Sequence, residues 1–146
     1  MITIIQRVTT AKVTVNGRKI GKIDRGILAL IAVEKHDSEK EANRLLERIL
    51  NYRIFPDDHE RMNLSLRDIN GGLLIIPQFT LAADTDKGNR PSFTSAASPK
   101  KGQALFEYFV CQSKIIYKRV ECGQFGTDML VSLVNDGPVT FTLKTR

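Results

Sequence analysis

No apolar run in these 146 residues approaches the roughly 18 needed to cross a bilayer. The opening residues alternate like a strand and carry no charged segment ahead of a long apolar one, so a soluble, unexported, cytoplasmic protein is expected. Cysteine is scarce. Cys111 and Cys122 are the only two, and with only His36 and His59 beside them they match no metal-ligand spacing. Two reduced thiols and no metal or other cofactor are the expectation. The chain also lacks a Gly-x-Ser-x-Gly elbow, and neither histidine is set to serve a Ser or Cys nucleophile. His36 precedes a helix cap, and His59 lies in the polar turn Pro56 to Glu60. Repeats, low-complexity tracts and linkers are missing too. A single domain spanning 1–146 follows, long enough for one core and too short for two.

What is present begins with charge. Lys and Arg outnumber Asp and Glu by 22 to 16, a net +6 that favours a polyanionic partner through steering and counterion release. Strand signals open the chain: Ile2 to Val15 is rich in β-branched residues, Asn16-Gly17 supplies a two-residue hairpin turn, and Arg18 to Ile23 returns. After Asp24-Arg25-Gly26, the run Ile27 to Val33 is apolar throughout, as in a strand buried on both faces at the centre of a sheet.

Ser38 and Glu41 read as a capping box for a helix from about Glu39 to Tyr52, with Ala42, Leu45, Leu46 and Ile49 on one face. A second helix starts after Ser98-Pro99, buries Leu105, Phe106, Phe109 and Val110, and ends near Ser113. Further strands are expected at Leu73 to Ile76, Ile115 to Glu121, Met129 to Val134 and Val139 to Leu143. This order is not a regular βαβ alternation. It predicts an α/β chain of the α+β type: a mostly antiparallel sheet or barrel with two main helices packed outside.

Two segments place unusual residues beside buried strands. In Pro77-Gln78-Phe79-Thr80-Leu81, a continued strand puts Gln78 and Thr80 on one face and Phe79 on the other. In Asn135-Asp136-Gly137-Pro138-Val139-Thr140, the plain reading is a hairpin turn. The sharper one is a cis Gly137-Pro138 bond, which turns two neighbouring carbonyls the same way and so makes a seat for an ammonium. Asp57-Asp58 and the pair Asp84 and Asp86 read as turn and loop carboxylates. The long loop from about Ala82 to Ala97 carries Lys87 and Arg90, and reads either as a solvated loop or as a contact for phosphate or ribose. In Gly123-Gln124-Phe125-Gly126 an aromatic sits between glycines, placed to stack on a base or to fill the core. With no base at hand, a hydrolase built this way works by positioning and backbone donors.

At these residues the sequence resembles the D-aminoacyl-tRNA deacylase family, and over essentially the whole chain. The carriers are Ile5-Gln6-Arg7-Val8, Asn51 to Phe55, Met62 to Ser65, Gln78 to Leu81, Arg90 to Phe93, and Val131 to Thr140. The resemblance implies a homodimer with its active site at the subunit interface, joining the Gln-Phe-Thr segment of one chain to the Gly-Pro segment of the other. It implies that a cis Gly137-Pro138 element captures the α-ammonium of D-aminoacyl-tRNA and rejects L-residues by collision, while glycine, including glycyl-tRNA mischarged on tRNA(Ala), passes.

The same resemblance assigns catalysis to Gln78, Phe79 and Thr80, with the backbone at Phe79 and Thr80 holding the oxyanion and the tRNA 2′-hydroxyl helping to activate water. Phe125 and Met129 match a pocket for the 3′-terminal adenosine, and Arg7 matches a support for the Gly-Pro element. Pro77 departs from the Ser usual in the family. A paralogue that removes L-alanine from mischarged tRNA also carries Pro there and has a trans Gly-Pro bond. That enzyme, and a tRNA-binding module without turnover, are the alternative readings.

Overall fold

The computed structural model describes residues 1–145. Strand β1 (Ile2–Val15) is the spine of the sheet. Along one edge its first half pairs antiparallel with β3 (Gly26–Ala32) and its second half with β2 (Arg18–Ile23). Asn16 and Gly17 both have positive φ, 50° and 76°, as the tight turn between β1 and β2 demands. Its other edge is lined from end to end by β8 (Leu130–Lys144), again antiparallel.

Beyond β3 the sheet changes direction. Strand β6 (Gly72–Pro77) runs parallel to β3, and β7 (Val120–Cys122) parallel to β6. Gly26 stands opposite Gly72 at the start of β3 and β6, where a Cβ on Gly26 would lie 1.9 Å from the Gly72 carbonyl oxygen. The two backbones meet there because neither carries a side chain. At the far edge, a Cβ on Gly21 of β2 would come within 3.3 Å of both the Cys122 carbonyl and Leu74 Cδ1. The sheet thus curls until its edge strands nearly meet.

The curl creates two cores. Ile27, Ala29 and Ile31 of β3 and Leu73 and Ile75 of β6 face the helices, in a cluster with Leu45, Leu46, Ile49, Phe106 and Phe109. The alternate residues Leu28, Leu74 and Ile76 point inward, against Val8, Val13 and Ile23. The continuous apolar run of β3 is therefore that of a strand with hydrophobic neighbours on both sides, each buried Leu or Ile contributing about 1.5–3 kcal/mol.

Helix α1 (Glu39–Asn51) begins at the Ser38–Glu41 capping box. Helix α3 (Pro99–Ile116) begins at Ser98, whose hydroxyl accepts from the Lys101 N–H, with Pro99 in its first turn. Among the described residues, no helix is long and apolar enough to cross a membrane.

Several local expectations change. The segment from Ile115 is not a strand at first: α3 continues to Ile116, and only Val120–Cys122 pairs. Ile115 and Ile116 are β-branched but 69% and 39% exposed, on the outside of a last turn. That turn is closed by the Tyr117 N–H to the Ser113 carbonyl and by the Tyr117 hydroxyl on the Gly71 and Leu66 carbonyls. Tertiary anchoring of Tyr117 outweighs strand propensity there. A short helix α2 (Leu66–Ile69), capped reciprocally by Ser65 and Asp68, and a small hairpin of β4 (Phe55–Pro56) with β5 (Met62–Leu64) complete the chain.

Candidate active site

Where β6 ends, the sheet opens into a cleft of about 520 Å³. Its floor is the end of the parallel pair, Ile31, Ile76 and Pro77; one wall is Ser98, Pro99, Gly102 and Phe106 at the start of α3; the other is the loop from Phe125 to Met129. Small residues make the walls fit. Gly102 gives room to Phe125, 3.4 Å from where a Cβ would stand, and Phe125 packs on Phe106 with centroids 6.1 Å apart. Gly123 sits under Met129 and Pro77, where a Cβ would meet Met129 Sδ at 2.8 Å. Phe125 and Met129, expected to receive the terminal adenosine, thus line one cleft with Gln78 and Phe79.

The segment after Pro77 is not the extended strand expected from its alternation. The Gln78 N–H donates to the Ile31 carbonyl at 2.8 Å, the last contact of the ladder, and Phe79–Ala82 then form a 3-10 turn. Its first internal donor is the Leu81 N–H, bonded to the Gln78 carbonyl at 3.2 Å. The Phe79 and Thr80 N–H groups precede it and make no backbone hydrogen bond among the described residues, as the opening donors of a helical turn do not. Phe79 is 55% exposed on the cleft lip, and Thr80, the next residue, is exposed, its Oγ1 2.5 Å from Gln78 Nε2. An amide accepts no proton at neutral pH, so Gln78 gives Thr80 a partner but no base.

Gly137 and Pro138 form a second feature. Gln6 pairs with Thr140 and Val8 with Asn135, so the four residues Asp136 to Val139 bulge from β8 opposite the single residue Arg7. The hairpin turn of the plain sequence reading is replaced by this knuckle in a continuing strand. Asn135 closes its base: its Oδ1 accepts from the Val139 N–H at 2.7 Å and its Nδ2 donates to Thr140 Oγ1 at 2.9 Å. Arg7 braces it from below, donating from Nε to the Asp136 carbonyl at 2.9 Å and from Nη1 to the Ile54 carbonyl at 2.7 Å. Gly137 has φ of 139°, and a Cβ there would strike Val139 Cγ2 at 2.6 Å. The Gly137-Pro138 peptide bond is cis, and both residues are exposed.

Cleft and knuckle lie apart within one chain. Arg7 is level with Ile27 of β3, whereas Gln78 is tied to Ile31. Those four residues are roughly 13 Å along the strands, and β1 and β3 stand between β8 and β6.

The electrostatics of the cleft are sparse. Asp128 is the one ionisable side chain on its lining, and no cation shares it. His36 lines a separate hollow of about 660 Å³ with Glu34 and Asp37, while His59 sits exposed in the β4–β5 turn, its N–H on Asp57 Oδ1. The carboxyls held below their ordinary range, those of Asp57, Asp68 and Glu41, owe this to local hydrogen bonds in turns and caps away from the cleft.

Sequence reasoning missed Asp128, the first turns of α3 and Asn135. Pro99 after Ser98 marked the helix start but not what it faces. Asn135 was read as turn text, and only the register of β8 on β1 reveals its clamping role.

Comparisons with known proteins agree with this architecture. The family model described as D-Tyr-tRNA(Tyr) deacylase matches residues 4–144. The D-aminoacyl-tRNA deacylase of Pseudoalteromonas translucida (strain TAC 125) is 57% identical over 140 residues, 96% of this chain and 97% of the relative. That of Alkalilimnicola ehrlichii (strain ATCC BAA-1101 / DSM 17681 / MLHE-1) is 57% identical over 146 residues, 100% of this chain and 97% of the relative. Among solved structures, a c-Myc DNA Unwinding Element Binding Protein superposes with a TM-score of 0.96 at 36% identity, covering 100% of this chain and 99% of that one. A probable eukaryotic D-amino acid tRNA deacylase, at 19% identity and a TM-score of 0.84 over 97% of each chain, shares the fold. The chain belongs to the D-Tyr-tRNA(Tyr) deacylase family.

Proposed function

We propose that this protein hydrolyses the ester between a D-amino acid and the 3′-terminal adenosine of tRNA, releasing both, and that two copies of the chain share each site. The observation that carries the reading is the separation of cleft and knuckle. The cleft offers apolar walls for a nucleoside, with the Phe79 N–H at its lip and that of Thr80 next in the chain, but nothing in it discriminates configuration at Cα. The knuckle offers exposed backbone on a braced support. A two-fold dimer that sets one chain's knuckle over its partner's cleft completes both.

In that arrangement the adenine lies between Phe125, Met129 and the start of α3, and the ester carbonyl reaches the Phe79 and Thr80 N–H groups. These stabilise the oxyanion as water attacks. With no base beside Thr80, the 2′-hydroxyl of the terminal ribose assists the water. The partner's Gly137 and Pro138 carbonyls hold the α-ammonium, and an L-side chain collides with the knuckle where a D-side chain points outward. Glycine, with no side chain to collide, is accepted, including glycine mischarged on tRNA(Ala). Asn135 and Arg7 matter because exclusion by collision requires a support that does not yield.

Subunit mixing tests the shared site. Thr80→Pro deletes a donor at the cleft, and Gly137→Ala spoils the knuckle; each alone is expected to be inactive on D-tyrosyl-tRNA. Mixed after subunit exchange, they form heterodimers with one intact site, restoring about a quarter of the unaltered activity. Mixtures that stay inactive although heterodimers form would place both elements in one chain's site.

A further inference from the structure

Beyond the cleft lip stands an aromatic residue that the deacylase reading leaves without a role. Phe93 is 41% exposed, and its ring lies 5.1 Å, centroid to centroid, from that of Phe79, tilted by 53°. Its backbone is fixed on both sides. Ser92 and Asp84 exchange N–H to carbonyl hydrogen bonds of 2.7 and 3.0 Å just before it, and the Phe93 carbonyl accepts from the Ala96 N–H at 3.1 Å just after. Solvent-exposed aromatic surface on a pinned backbone forgoes the burial that the same ring would gain in a core. Because Phe79 lines the cleft and touches Phe93, the two rings form one apolar path from the cleft outward.

Resting on the deacylase reading, we infer that Phe93 is a stacking platform for the penultimate nucleobase of the tRNA 3′ end. Once the terminal nucleoside fills the cleft, its 5′-phosphate must leave over the lip, and the next base arrives unpaired with a free face. Single-stranded bases are held by aromatic faces with cations along the backbone. Lys87 and Arg90 are exposed on the loop closed by the Asp84–Ser92 bridge, and Lys100 in the first turn of α3. The opposing charge of Asp84 is turned to its own loop, where Oδ1 accepts from the Asp86 N–H at 2.9 Å. The cleft itself has no cation. Neutral nucleoside within and phosphate outside is the charge order of an RNA end threaded this way.

The test compares the D-tyrosyl ester of adenosine with that of the dinucleotide CpA, using the full-length protein and Phe93→Ala and Phe93→Trp. For the unaltered enzyme, kcat/KM rises about tenfold from adenosine to CpA. Phe93→Ala abolishes the rise while turning over the adenosine ester at the unaltered rate, and Phe93→Trp restores it. Equal turnover of the two esters by the unaltered enzyme overturns the inference, as does a rise that survives Phe93→Ala. An equal loss on both esters assigns Phe93 to propping Phe79 and overturns it too. Failure of the unaltered enzyme on both esters and on D-tyrosyl-tRNA removes the deacylase reading itself, and this inference with it.

Discussion

Arg7 holds Asp136 and Ile54 at once: its Nε donates to the Asp136 carbonyl at 2.9 Å and its Nη1 to the Ile54 carbonyl at 2.7 Å, with the Asp136 carboxylate 3.5 Å away. One guanidinium thereby ties the Gly137-Pro138 knuckle to the chain beyond α1. Lysine has the charge but not the fork. Arg7→Lys is expected to cost about 1.5–3 kcal/mol in urea unfolding, the range for a hydrogen bond made by a charged group. D-tyrosyl-tRNA turnover should fall more than tenfold at a temperature where the variant is folded. Unchanged turnover would show that the knuckle needs no brace.

Gly137→Ala tests the knuckle itself. A Cβ has no space beside Val139 Cγ2 and the φ of 139° suits only glycine. The expected outcome is a loss of about 1–3 kcal/mol in stability and of turnover on D-tyrosyl-tRNA. Both are read on one preparation, by unfolding and by single-turnover assay.

At Thr80 the two catalytic readings diverge. If backbone donors do the work, Thr80→Ala keeps activity within about tenfold, whereas Thr80→Pro, which removes the N–H, loses about 100-fold or more, as for loss of an oxyanion donor. Thr80→Ala abolishing turnover in a folded protein would instead assign the nucleophile to the Thr80 side chain.

Acid stability follows the caps. Hydrogen bonds from the Ser65 backbone and side chain, the largest causes in that order, hold the Asp68 carboxyl below its ordinary 3.8, and the Ser38 side chain and backbone do the same for Glu41. A carboxyl whose folded pKa is depressed adds stability that is full above its unfolded value. That stability is lost as pH falls through the folded one. Urea midpoints should therefore drop as pH falls below about 4, and less steeply in Asp68→Asn. An identical slope in the variant would contradict the capping account.

Much of the fold was legible because its signals are local and strong. Asn16-Gly17, the Ser38–Glu41 box, Ser98-Pro99 and the apolar run Ile27 to Val33 each specify one structure nearly alone. The errors fall where tertiary contacts decide. Gln78 to Leu81 alternates like a strand, but the ladder ends at the Ile31 carbonyl, and the chain turns into a 3-10 helix. Asn135 to Pro138 reads as a hairpin, yet β1 is long enough to pair on both sides of it. Ile115 and Ile116 carry strand propensity into a helix end fixed by Tyr117. For the site, residue types pointed to Gln78, Phe79, Gly137 and Pro138. Their separation within one chain, and the Asp128 carboxylate on the cleft wall, depend on registers that no local pattern encodes.

The most direct measurement of the central claim is single-turnover deacylation of matched D-tyrosyl- and L-tyrosyl-tRNA by the purified protein, with L-alanyl-tRNA alongside. The account predicts rapid release of D-tyrosine with both L-esters spared. Release of L-alanine in preference to D-tyrosine, or tRNA binding without release of either tyrosine, would contradict it.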